Sequence, residues 1–137
     1  MLDEKLSIGM DYNTACEVLK GCIICKKESG NLKWFSAKPE ELFCRMHAVI
    51  QVTAKDGYVI EILAVPDWEK YKEKGDFNDH KKSCRIWDES TSYIEYLYGS
   101  PIKEKEGKKV WKKGCMEIKA KLENERDSDP DLMFLFS

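Results

Sequence analysis

Lysines and tryptophans stand together at two places in the chain. Lys26, Lys27, Lys33, Trp34 and Phe35 gather around one turn, and Lys108, Lys109, Trp111, Lys112 and Lys113 around a later stretch. Capture of a phosphorylated nucleotide needs such a pairing, with ammonium groups for the phosphates and a flat ring for the base. The same lysines could instead keep a sheet edge solvated and discourage edge-to-edge pairing. On residue types alone the second account is the stronger.

Cys22-x-x-Cys25 and Cys44-x-x-His47 supply four potential zinc ligands in two pairs. A zinc knuckle needs a tight turn between paired ligands. Ile23-Ile24 is instead β-branched, and no glycine follows Cys25. In a strand Cys22 and Cys25 would also point to opposite faces. The expectation is buried free thiols and no metal. His80 with Cys84 could make a Cys–His pair, but they sit in a charged stretch with no third group to orient them. Asp67, Glu69, Asp88 and Glu89 could pair as acid and base only across a cleft, which spacing does not provide. The chain lacks a glycine-rich phosphate loop, a nucleophile elbow and an H-E-x-x-H pattern. No enzyme and no cofactor are therefore expected.

The elements that must position these groups begin with residues 10–27. Asp11 can cap a helix whose Tyr12, Ala15, Cys16 and Leu19 share one face. Gly21 stops it, and Cys22-Ile23-Ile24-Cys25 follows as a covered strand ending at Lys26 and Lys27. Glu28-Ser29-Gly30-Asn31 turns the chain into a second arm, residues 32–35, on which Trp34 and Phe35 point to opposite faces. Residues 47–53 and 58–63 flank Asp56-Gly57 and form the clearest hairpin signal. Pro66 ends the second of those strands. Residues 70–82 read as a solvated loop, or a frayed helix over 68–74, and residues 85–87 and 93–98 as two short strands. Residues 115–122 alternate as a half-buried strand, and 123–131 form an acidic loop. The apolar close, 132–136, is expected to add an edge strand or fill a subunit groove.

At 137 residues, with 42% hydrophobic and 35% charged residues, the chain suits a single domain with one core. A net charge of −2 gives no overall field for long nucleic acid. No apolar run approaches the roughly 20 residues of a membrane span, and the amino terminus is unlike a signal peptide. Six cysteines then imply free thiols in a reducing cytoplasm. The fold class expected is α+β: a mostly antiparallel sheet carrying one short amino-terminal helix, able to close partly into a barrel. Residues 10–71 would form its helix-and-sheet core and residues 72–137 a β-rich elaboration.

Three stretches resemble a family of small phage proteins, the second type of Thoeris anti-defence protein, which sequester nucleotide signals of bacterial immunity. Residues 10–21, MDYNTACEVLKG, are similar to that family's aromatic, alanine, lysine–glycine helix. Thr53-Ala54-Lys55-Asp56-Gly57 resembles its central hairpin, and Ala64-Val65-Pro66-Asp67-Trp68-Glu69 its Asp-Trp close. The likeness covers residues 10–71. Where the family has a Gly-Trp-Asn-Gly-like turn, this chain has Ser29-Gly30-Asn31-Leu32-Lys33-Trp34, which makes Trp34 the replacement stacking residue.

The resemblance implies a homo-oligomer that holds a cyclic ADP-ribose derivative or a cyclic oligonucleotide without cleaving it. Lys26, Lys27 and Lys33 would neutralise phosphates, Trp34 or Trp68 would stack on a base, and Asn31 or Asp67 would bond ribose hydroxyls. The rival expectation is a protein–protein inhibitor that masks a host immune effector.

Overall fold

Alternation along the strands decides which face of the sheet is covered. The computed structural model describes residues 2–75, 80–124 and 130–137. Ala48, Ile50, Val52 and Ala54 on β3 (Ala48–Lys55) are fully buried, whereas Val49 and Thr53 between them are half-buried and Gln51 is exposed. The period of two places every second side chain on one inner face. β2 (Leu32–Ala37) follows the same rule, with Phe35 and Ala37 inside and Trp34 and Ser36 outside.

The fold is α+β, built on one eight-stranded antiparallel sheet ordered β1-β2-β3-β4-β8-β7-β6-β5. β1 (Ile23–Ser29) through β4 (Tyr58–Pro66) form one meander. β5 (Lys103–Lys105), β6 (Lys108–Lys113) and β7 (Met116–Glu123) form a second. β8 (Asp131–Phe136) lies between them, pairing Ile62, Leu63 and Ala64 of β4 on one side and residues 118–123 of β7 on the other. The sheet stays open at β1 and β5 and does not close into a barrel.

Asp56 and Gly57 both take positive φ, 53° and 86°, as the two-residue turn between β3 and β4 requires. Asp11 caps α2 (Tyr12–Val18), its Oδ1 accepting from the N–H groups of Asn13 and Thr14 at 2.9 and 3.3 Å. Tyr12, Ala15 and Leu19 bury that helix against the inner face, where Tyr12 meets Phe35 edge-on at 5.8 Å.

Several expectations need correction. The strands expected at 85–87 and 93–98 are one helix, α4 (His80–Tyr98). Its buried Ser83, Ile86, Trp87, Ser90, Thr91 and Ile94 keep a helical period, and Trp87 stacks on Phe134 of β8 at 6.3 Å. So the elaboration in residues 72–137 opens with the longest helix of the described residues, and the early helix is not alone. α1 (Leu2–Lys5) and α3 (Trp68–Glu73) complete the set. The helix expected as the alternative over 68–74 is present as α3, while residues 80–82, expected as loop, open α4; residues 76–79 lie outside the described residues. Residues 22–25 are not a covered strand. Cys25 is exposed and Ile24 is 58% exposed, because β1 is a free edge. The closing strand is central rather than an edge, with Leu132 and Phe134 fully buried. The centre of the acidic loop, 125–129, lies outside the described residues.

Candidate functional site

Pairing across the free edge brings three of the named lysines together. Lys26 faces Phe35, Lys27 faces Trp34, and Glu28 faces Lys33 across the β1–β2 ladder. Directly paired residues share a face, so Lys26, Glu28 and Lys33 lie on the inner side at its margin, where the buried stripe runs out. Lys27 and Trp34 lie on the outer side. Lys26, Lys27, Glu28 and Lys33, together with Tyr12 from α2, line an open hollow of about 290 Å³. The Lys33 ammonium sits 5.7 Å from the centre of the Tyr12 ring.

The Lys26 and Lys33 ammonium groups beside the single Glu28 carboxylate give this hollow a positive character that the chain's net charge of −2 hides. Anions are attracted over the screening length of about 8–10 Å. Burial, followed by the neighbouring Cys16, pushes the Tyr12 phenol up to about 12. It therefore stays protonated at neutral pH, a hydrogen-bond donor rather than a nucleophile.

The remaining named residues lie elsewhere. Asn31 is at the hairpin end, its Nδ2 donating to Asp56 Oδ1 at 3.1 Å while its carbonyl accepts from the Asp56 N–H. Trp34 is half-buried and separated by the sheet from Lys26 and Lys33. Asp67 lies five residues beyond Ile62, the β4 residue level with Phe35, which is roughly 15 Å along the sheet. Its Oδ1 accepts from the Lys70 N–H at 3.3 Å, capping α3. Trp68 packs half-buried, its ring 5.6 Å from that of Tyr71. The sheet thus gathers the phosphate-binding group and scatters the base- and ribose-binding groups.

The second lysine cluster contains no exposed ring. Trp111 is 1% exposed and donates its indole N–H to the Gly99 carbonyl at 3.0 Å. Lys109 beside it bridges Glu95 and Glu104 at 3.2 and 3.4 Å. The proposed zinc ligands do not converge, and no group of three or more metal-capable side chains occurs among the described residues. Cys44 is buried against Asp3, whereas Cys25 is exposed on the outer face.

Tyr12 and Glu28 were not among the named site residues. Glu28 could have been found, since it alternates with Lys26 on one strand face. Tyr12 could not, because α2 and β2 have to be docked before its ring meets Lys33.

A second concavity has no sequence signal. It is a partly open cavity of about 200 Å³ under α1, lined by Ile62 and Phe136 where β4 meets β8. One wall is the turn Phe43–Met46, closed by reciprocal backbone bonds of 2.9 and 3.0 Å. Cys44 and Arg45 at its centre both take positive φ, 48° and 62°, which costs non-glycine residues on the order of 1 kcal/mol each. Asp3 holds the turn by accepting from the Cys44 N–H at 2.6 Å. Burial, then Asp3, pushes the Cys44 thiol well above its usual value, so it behaves as a small apolar group.

Comparison with protein-family models, curated proteins and solved structures returns no match to this chain. Among the described residues no helix is long and apolar enough to cross a membrane.

Proposed function

We propose that this chain is a non-enzymatic capture protein for a small phosphate-bearing ligand held at the Lys26–Lys27–Lys33 hollow. In its full form, which the family resemblance supplies, it is a phage counter-defence sponge. It sequesters a cyclic ADP-ribose derivative or cyclic oligonucleotide in the host cytoplasm. One observation carries the reading: Lys26 and Lys33, neither of them in an ion pair among the described residues, share one face of a hollow beside a protonated phenol, with Lys27 also lining it. Phosphate oxygens accept charge-assisted bonds from such groups. Trp34 lies on the outer side with Lys27 alone, so a base bound at the hollow lacks a tryptophan on its own side. Pairing of two subunits at the free β1 edge would bring a second set of aromatic and basic groups to the site, and a homo-oligomer is part of the proposal.

The test is retention followed by release. Purified protein is mixed with cyclic ADP-ribose, separated from free nucleotide by gel filtration and heat-denatured. The released material is then identified by chromatography. The sponge reading expects bound and chemically intact ligand. A cleaved product would move the protein to the phosphodiesterases, and failure to retain nucleotide would end the reading.

A second reading, a protein–protein inhibitor of a host effector, draws on the outer sheet face. Trp34, Val49, Leu63, Val65 and Leu135 are half-exposed there, more apolar surface than a solvated sheet face needs. A stable stoichiometric partner in a pull-down from cells expressing immune effectors would favour it.

A further inference from the structure

We propose that the cavity under α1 is a second binding site, which takes a compact apolar molecule, neutral or amine-bearing, and rejects acids. It does not depend on the reading of the lysine hollow.

Three features carry the inference. The first is space. A volume of about 200 Å³ exceeds that of ordinary packing defects, and an apolar cavity of about 150 Å³ in another protein stays dry and takes up benzene. A single ring with a short chain is the size that fits. The second is the lining. Phe43, Ile62, Ile94 and Phe136 present apolar walls drawn from a turn, two strands and α4, all of them at least nine-tenths buried. These four walls offer water no hydrogen-bond partner and favour an apolar guest on their side of the cavity.

The third is charge. The polar residues that line the cavity are Asp3, Glu4 and Ser7 of the amino-terminal segment, Cys44 and Tyr98; among the described residues no lysine or arginine lines it. A carboxylate or phosphate placed there would lie beside the Asp3 carboxylate with no lysine or arginine in the described lining, an arrangement that burial makes costly. Burial, and after it Cys44 and Asp3, raises the Tyr98 phenol, which keeps it a donor. An amine finds acceptors at the same rim. The cavity and the lysine hollow thus select opposite charges.

Propylbenzene, 3-phenylpropylamine and 3-phenylpropionate share one skeleton and differ in charge at neutral pH. Each is titrated into the isotope-labelled full chain while backbone amide shifts are followed. The inference expects saturable shifts at Phe43, Ile62 and Phe136 with the first two, and at least tenfold weaker binding of the acid. Met116, half-buried at the rim, offers a filling variant: Met116→Phe should weaken amine binding tenfold or more while the spectrum stays dispersed. The proposal is overturned by no saturable shift with any of the three, by equal binding of acid and amine, or by a folded Met116→Phe that binds like the unaltered chain. Should that variant fail to fold, the ligand series on the unaltered chain decides by itself.

Discussion

The β1 edge and the β8 seam are built from the same antiparallel ladder and put to opposite uses. At the edge, every residue of β1 after Ile23 is exposed, and charge gathers where the inner stripe runs out. At the seam, Leu132, Phe134 and Phe136 are buried between two meanders, and the space left over is mainly apolar and only partly open. A sheet margin can carry several lysines because water still solvates them. At the seam the strands and α4 supply rings and aliphatic chains, and the carboxylates come from the amino-terminal segment alone. Position in the sheet, more than residue type, sets which ligand chemistry each hollow can support.

Variants at the two places should differ in kind. Phe134 is fully buried and stacks on Trp87, so Phe134→Ala should cost about 3–5 kcal/mol in denaturant unfolding. A loss below about 1 kcal/mol would mean that β8 does not seal the two meanders. Gly107 has a φ of 72°, and a side chain there would run into the Leu122 carbonyl across the β5–β7 end of the sheet. Gly107→Ala should therefore cost about 1–3 kcal/mol, and an unchanged unfolding midpoint would contradict the close approach.

The smallest effect is a pH dependence. Burial, and after it Lys74 and Lys70, holds His47 below the usual histidine range, and its Nδ1 is buried with no hydrogen-bond partner among the described residues. The unfolded chain then binds a proton more readily than the folded one. Stability from this group is present above the unfolded value of 6.5 and is lost as pH falls through the lower folded value. Melting temperature should decline on that acid side, and His47→Gln should flatten the decline. An equal slope in both proteins would assign it to other groups.

Much of the first meander could be read from sequence because its signals are local. Asp11 precedes its helix, Asp56-Gly57 sits inside its hairpin, and Pro66 ends its strand. The second half defeated the same reading. Ile86, Trp87, Thr91, Tyr93 and Ile94 are β-branched or aromatic, and their propensity points to strands. The helical stripe is disguised because Ser83, Ser90 and Thr91 occupy buried positions on it; the Ser83 and Thr91 hydroxyls bond to carbonyls one turn back. The central place of β8 depends on pairing with a strand some seventy residues earlier, which no local pattern encodes. The site divided along similar lines. Lys26 and Lys33 lie on one face of a hairpin and meet, whereas Lys27 and Trp34 are turned to the other face by strand alternation and Asp67 is taken up in helix capping.

The most direct test of the capture claim is a calorimetric titration of cyclic ADP-ribose into the unaltered chain and into a Lys26→Gln/Lys33→Gln double variant, at low and at 0.5 M salt. The account predicts measurable binding that weakens with salt in the unaltered chain. It predicts at least tenfold weaker and less salt-sensitive binding in the variant, whose melting temperature should barely move. Equal affinity in the two proteins, or no heat of binding in either, would contradict it.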